Sequence, residues 1–310
     1  MKKTIFILAA LVGAMTWTAC EKEQLVPEKE FQRPQKEETA LTLTLKASKA
    51  QPGTKALDLS SDGKTLNVYW KTGEKVKVFK GDACIGTLNV TPGEGEKPTN
   101  ATLSGNINME GIIAGDNLTL LLPREVWDYT GQTGALTGDN SLESLFDYSL
   151  ATVQVSAVTS TTITASNATF ENQQSVYRFS FKTGGEPLVI KSFSVYAKGG
   201  NFSSVSNLLV KTRTFSGGTW TSTTAGQDEL DVSLPSMTSD PVYMAIRNES
   251  NYGDDIYYFH VVGSDGTLYS GSKGGIPSAY YSPGHFISMK NISVSKYTVP
   301  EMDDTAYEPY

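Results

Sequence analysis

The residue types that catalysis recruits are few in these 310 residues and poorly placed for it. There are two histidines, His260 and His285. His260 lies in Tyr257-Tyr258-Phe259-His260-Val261, inside an alternating stretch, and reads as a strand residue. His285 follows Pro283-Gly284 and reads as a turn residue. Nucleophilic or acid–base catalysis needs a base within reach of a nucleophile, and nothing marks a nucleophile beside either histidine. The HExxH, CxxC, GxSxG and phosphate-loop patterns are absent from the sequence. Paired carboxylates could hydrolyse a glycoside. The acidic pairs here are Asp254-Asp255, in a turn, and Asp303-Asp304, in a tail, where solvated acids are the norm. Cys84 lies in Val76-Lys77-Val78-Phe79-Lys80-Gly81-Asp82-Ala83-Cys84-Ile85 and is expected to be a buried strand residue acting as a small hydrophobe. No catalytic residue, metal ligand or cofactor is expected, and the chain is read as a non-enzyme.

The remaining chemistry is at Cys20. Two lysines, Lys2 and Lys3, precede an apolar run from Ile5 to Met15, and small residues close it at Thr18-Ala19-Cys20. That is the layout of a secretory signal, and the run is short of the ~20 apolar residues of a membrane span. A cysteine at the exit, followed by Glu21-Lys22-Glu23, resembles a bacterial lipoprotein signal. The resemblance implies a signal peptide over residues 1–19. It also implies acylation of Cys20 (palmitate-type chains) and a lipid anchor in the cell outer membrane. Trp17 stands where that family usually has leucine. An ordinary cleaved signal with a chance cysteine is the competing reading. Acyl chains hold by burying methylenes, at about 0.8 kcal/mol each.

The elements that follow read as strands. Residues 20–40 are polar and aperiodic, a flexible tether. Leu41-Thr42-Leu43-Thr44-Leu45 alternates without a break and opens a strand running to Ala47. Pro52-Gly53 makes the next stretch a loop, and its small polar residues present Lys55-Ala56 to a trypsin-like protease. Short alternating segments with Gly/Asp-rich breaks continue to the end, among them Val76–Phe79, Leu118–Leu122, Tyr177–Phe181, Leu208–Thr214 and Ile256–Val262. Single helical turns are the most expected, for example at Ser141–Phe146. Such a pattern argues for an all-β chain of two tandem antiparallel β-sandwich domains, over residues 41–172 and 173–310. Hydrophobic residues make up 39% of the chain, enough for real cores. A net charge of −7 argues against nucleic acid and against electrostatic adhesion to anionic lipid.

Trp127, Tyr129, Trp220, Tyr280 and Tyr281 fall in or near expected loops, where exposed aromatics could stack on sugar faces. The alternative function is therefore a monomeric outer-membrane lipoprotein binding glycans through loop aromatics. Aromatic residues also serve strands and cores, which is the more ordinary use.

The stretch Tyr69-Trp70-Lys71-Thr72-Gly73-Glu74-Lys75-Val76-Lys77-Val78-Phe79 is similar to the fimbrillins of Bacteroidetes. Asp147–Val153, Ala168–Asn172 and Tyr280-Tyr281-Ser282-Pro283-Gly284 resemble further segments of them. The resemblance implies transthyretin-like, fimbrillin-type sandwiches and a lipoprotein precursor that becomes a fimbrial (pilus) subunit. It implies proteolytic maturation at Lys55-Ala56, removing the first strand with Leu41, Leu43 and Leu45. In Porphyromonas-type major subunits of this family the cut follows arginine, whereas the candidate here is a lysine. It implies partners too: other fimbrial subunits, the outer membrane, and host or bacterial surface glycans or proteins. At the C-terminal end, Ile287 and Met289 share one face, and Ile292 and Val294 share a face after a phase slip at Lys290-Asn291, which a β-bulge would absorb. That segment is either the last edge strand of the second sandwich or the strand donated to the next subunit.

Overall fold

The computed structural model describes residues 40–49, 58–60, 66–108, 111–198, 207–216, 218–226, 229–247, 256–274 and 283–298. Cys20, Lys55, Ala56, Tyr280 and Tyr281 lie outside these residues, as do both acidic pairs. The first half contributes β1 (Ala40–Lys49), β2 (Asp58–Leu59), β3 (Leu66–Asn67), β4 (Lys75–Lys80), β5 (Ala83–Pro92), β6 (Asn100–Asn108), β7 (Asn117–Leu122), β8 (Val126–Asp128), α1 (Leu142–Leu145), β9 (Ser149–Val158), β10 (Thr162–Ala165) and β11 (Ala168–Asn172). The second contributes β12 (Ser175–Thr183), β13 (Glu186–Pro187), β14 (Ile190–Lys198), β15 (Asn207–Ser216), β16 (Thr219–Gly226), β17 (Leu230–Thr238), β18 (Val242–Ile246), β19 (Ile256–Gly263), β20 (Leu268–Lys273), β21 (Phe286–Ser293) and β22 (Ser295–Lys296). The chain is all-β, and the single turn of α1 carries a capping box from Ser141 and Ser144.

Period-two patterning sets the first half. In β1 the inward residues are Leu41, Leu43, Leu45, Ala47 and Lys49, all buried, while those between face out. β1 is not an edge strand. It pairs antiparallel with β6 from Ala40 to Ser48. On its other side it pairs in parallel with β10 at Thr42 and Leu43, and with β11 from Ala47 to Lys49. The ladder continues β6-β5-β4-β7-β9 and returns through β10 and β11, so β1 is the stave that closes a barrel. An open sandwich of two antiparallel sheets is thereby corrected for this half. Two glycines let the wall bend between β5 and β6. A Cβ on Gly105 would lie 2.4 Å from the Thr87 carbonyl oxygen, and one on Gly86 would lie 2.7 Å from that of Asn106. The barrel encloses a core made wholly of residues before 171, including Trp70 against Phe170 at 5.3 Å.

In the second half β12 runs between β21 on one side and β13 and β18 on the other. A five-stranded sheet has the order β17-β14-β19-β20-β22. Phe179 of β12 meets Phe193 of β14 and Phe259 of β19 edge-on at 5.6 and 5.3 Å, so rings from the two sheets share a core. β21 carries the slip expected at Lys290-Asn291. Phe179 faces Met289 and Phe181 faces Ile292, so β21 carries one extra residue, and Asn291 has φ of 54°. The pairing with β12 is parallel. The chain then leaves that sheet, and Ser295 and Lys296 pair with β20 of the other.

The halves are joined by more than a linker. β8 pairs with β15, and Trp127, Tyr129, Leu142, Phe146 and Tyr148 belong to the second core. Gln132 is buried, donates to the carbonyls of Tyr129 and Ala245, and accepts from the Ala245 N–H at 2.7 Å. Cys84 is exposed, not buried. The register shift that places Cys84 opposite Phe79 turns it outward next to the Gly81-Asp82 turn.

Candidate functional site

The seat of β1 joins the sequence-derived candidates Leu41, Leu43 and Leu45 into one feature. Their side chains are at most 5% exposed and pack in the barrel core with Trp70, Val76, Leu88 and Leu103. Main-chain pairing runs along both edges of the strand. Removing β1 therefore opens an apolar slot and leaves unpaired N–H and C=O groups on the strands at either side, the state in which a sheet edge accepts a foreign strand.

The C-terminal end of the seat holds a residue that sequence reasoning missed. Lys49 continues the inward series past Ala47, and its side chain is 1% exposed. The ammonium lies 3.4 Å from Asp147 Oδ2 and 3.7 Å from Glu74 Oε1, acids whose side chains are 0% and 5% exposed. It donates to the Tyr69 carbonyl at 3.3 Å and sits 4.4 Å above the Trp70 ring. Glu74 is placed by the Thr72-Gly73 turn, where Gly73 takes φ of 91°, and Asp147 by the link from α1 to β9. A buried charge is tolerated when paired and hydrogen-bonded, and this cluster supplies both. The signal that could have found it is the unbroken alternation of Leu45-Lys46-Ala47-Ser48-Lys49, which carries a cation to the inside. Beside it a cleft of about 430 Å³ opens along β1, lined by Lys46, Ser48, Asn100, Thr102 and Asn167.

The C-terminal candidates are elsewhere. Met289, Ile292 and Val294 are buried in the second core, and Ile287 packs against it half-buried. β21 and β1 belong to different sheets.

The loop-aromatic reading is corrected for two residues. Trp127 and Tyr129 are fully buried, because β8 and the loop after it pass under the second half. Trp220 is half-buried with its ring 3.8 Å from that of Trp127. A half-exposed aromatic pair lies on the outer face of the five-stranded sheet. There Tyr196 and Tyr258 stack at 4.9 Å, and burial pushes the Tyr196 hydroxyl above the usual tyrosine range. His260 is a strand residue as expected, and its Nδ1 lies 2.7 Å from Glu229 Oε1. Among the described residues no three His, Cys, Asp or Glu side chains gather as a metal site, and no helix is long and apolar enough to cross a membrane.

No family model matches the chain, and no curated protein does. Solved structures do. A proposed cell adhesion protein of Bacteroides ovatus superposes with a TM-score of 0.43 at 11% identity, covering 84% of this chain and 96% of that one. A fimbrial assembly protein of Parabacteroides distasonis gives 0.35 at 10% identity, over 84% and 100% of the two chains. The tip fimbrial protein Mfa3 of Porphyromonas gingivalis, truncated at its C-terminus, gives 0.36 at 10%, over 83% and 100%. The structural neighbours of this chain thus include fimbrial and proposed adhesion proteins of Bacteroidetes, at low identity.

Proposed function

We propose that this chain is a fimbrial subunit, or a fimbria-associated lipoprotein of the cell surface, that joins other fimbrial subunits by exchanging β1. The single observation that carries the reading is the seat of β1. The first described strand sits between β6 on one side and β10 and β11 on the other, and residues 50–57, with Lys55, follow it directly. A cut after Lys55 would free β1 from the rest of the chain without touching another described strand. The vacated seat then offers main-chain bonds for affinity and alternate side-chain pockets for register. The contact joins two different surfaces, so its repetition builds an open filament. The names of the structural neighbours run in the same direction; the reading rests on β1.

The described body is read as two tandem domains, residues 41–172 and 173–310, after a tether over 20–40. The donor is read as the C-terminal segment of another subunit. Ile287, Met289, Ile292 and Val294 contribute if β21 leaves β12, and the tail beyond Lys296 contributes if it does not. The assembled fimbrium mediates adhesion, with surface glycans or proteins as its targets.

Two experiments test this reading. Cleavage of the folded chain after Lys55 should convert a monomer into a ladder of oligomers on size-exclusion chromatography; a cut chain that loses β1 and stays monomeric refutes strand exchange. The anchor is tested by labelling cells with a fatty-acid probe. Label should enter the wild type and vanish in Cys20→Ala, and equal labelling of the two would refute acylation at Cys20.

A further inference from the structure

Hydrophobic patterning does not specify the register of β1. Its core-facing residues Leu41, Leu43 and Leu45 are identical, and the residues between the leucines, Thr42 and Thr44, are identical too. Patterning resists a slip of one residue, which would turn every leucine outward. A slip of two residues keeps leucine in and threonine out. The far end of the strand removes that degeneracy. Ala47 faces Ala101 on one side and Ala168 on the other, so the seat offers only apolar methyl groups there. Two residues on, Lys49 meets Asp147 and Glu74. If β1 moved two residues one way, Ala47 would stand before the two carboxylates in place of the ammonium. If it moved the other way, Lys49 would stand between the two alanines, away from both acids.

We infer that Lys49 is the register key of the β1 seat, and that any strand taking the place of β1 must carry the same key. This rests on the exchange reading above and, of the two donors given there, excludes the tail beyond Lys296, which has no lysine or arginine. The partner is thereby given a chemistry: an extended segment with apolar residues at three alternate positions, a small residue at the fourth and a cation at the fifth. A buried acid pair discriminates strongly, because a strand without the cation leaves the carboxylates without this ammonium in a site shielded from solvent. One buried polar or ionic contact fixing the alignment of an otherwise repetitive segment is the best-attested use of such groups. The requirement is positional. A strand of the same composition and charge with the lysine two residues early fails, since its ammonium lies among alanines away from the acids and an alanine meets the acids.

The test uses the full chain with a sequence-specific protease site placed within residues 50–57, cut after folding. Three fluorescent peptides spanning residues 38–50 are then offered in excess: the native sequence, Lys49→Met, and the swap Ala47→Lys with Lys49→Ala. Incorporation is read as label co-eluting with the protein on size-exclusion chromatography. The native peptide should enter, and the other two should enter at least about tenfold less. The swap keeps the net charge of the native peptide, which separates a positional key from general attraction to an acidic protein. Entry of the Lys49→Met or swapped peptide within twofold of the native one overturns the inference and leaves strand exchange standing. If the native peptide itself does not enter, strand exchange is refuted and the partner requirement falls with it.

Discussion

Trp127→Ala should lower the unfolding free energy by about 3–5 kcal/mol, the range for deleting a buried tryptophan side chain. The indole is fully buried, and its Nε1–H donates to the Arg124 carbonyl at 2.8 Å. Its ring stacks on Tyr148 at 5.6 Å and lies 3.8 Å from Trp220, whose other neighbours are Phe215 and the Arg213 guanidinium. Trp127 belongs to β8, which pairs with β15 of the other half. The cavity would thus open where the two halves are joined, with few ways to collapse. The neighbouring Val126 is 43% exposed, so Val126→Ala should change stability by no more than about 0.5 kcal/mol. Urea unfolding of the two variants beside the wild type decides it. A loss below about 1 kcal/mol for Trp127→Ala would show that this junction adds little to the fold.

Why Trp127 reads as a loop residue in the sequence is instructive. Gly131, Gly134 and Gly138 follow within a dozen residues, and β8 is three residues long. Its pairing partner lies more than eighty residues downstream, and no local pattern reports a contact of that range. The strand β16 was missed for a related reason. Thr219-Trp220-Thr221-Ser222-Thr223-Thr224-Ala225-Gly226 lacks apolar alternation and is held as a strand by its hairpin with β15. β17 was missed because of Pro235. A proline is admitted there because β17 is an edge strand and its register with β14 shifts between Ser233 and Thr238. Where patterning is strong the sequence was readable: β1, β4, β7, β12 and β19 fall where alternation puts them, and the slip at Lys290-Asn291 is a bulge.

Closure of the barrel was not legible, since alternation is the same in a sandwich and a barrel. It emerges only from β1 pairing on both sides. Lys49 was hidden by the ordinary rule that charges face water. It is inside because two acids from separate turns meet it there, and neither acid is near it in sequence.

The central claim is that β1 must leave its seat for subunits to join, and a disulfide that holds β1 in place tests it most directly. Thr44 of β1 and Ser104 of β6 are directly paired, and both side chains point away from the buried leucines. Directly paired antiparallel residues have Cα atoms about 4.5–5.5 Å apart, within the range a disulfide spans. The variant Thr44→Cys/Ser104→Cys, in a background with Cys20→Ser and Cys84→Ser, is cut after Lys55 and followed by size-exclusion chromatography with and without reductant. Oligomers should form in reductant and be absent without it, with the oxidised form folded and monomeric. Equal assembly in the two conditions would contradict the account, because subunits would then be joining with β1 still covalently in its seat.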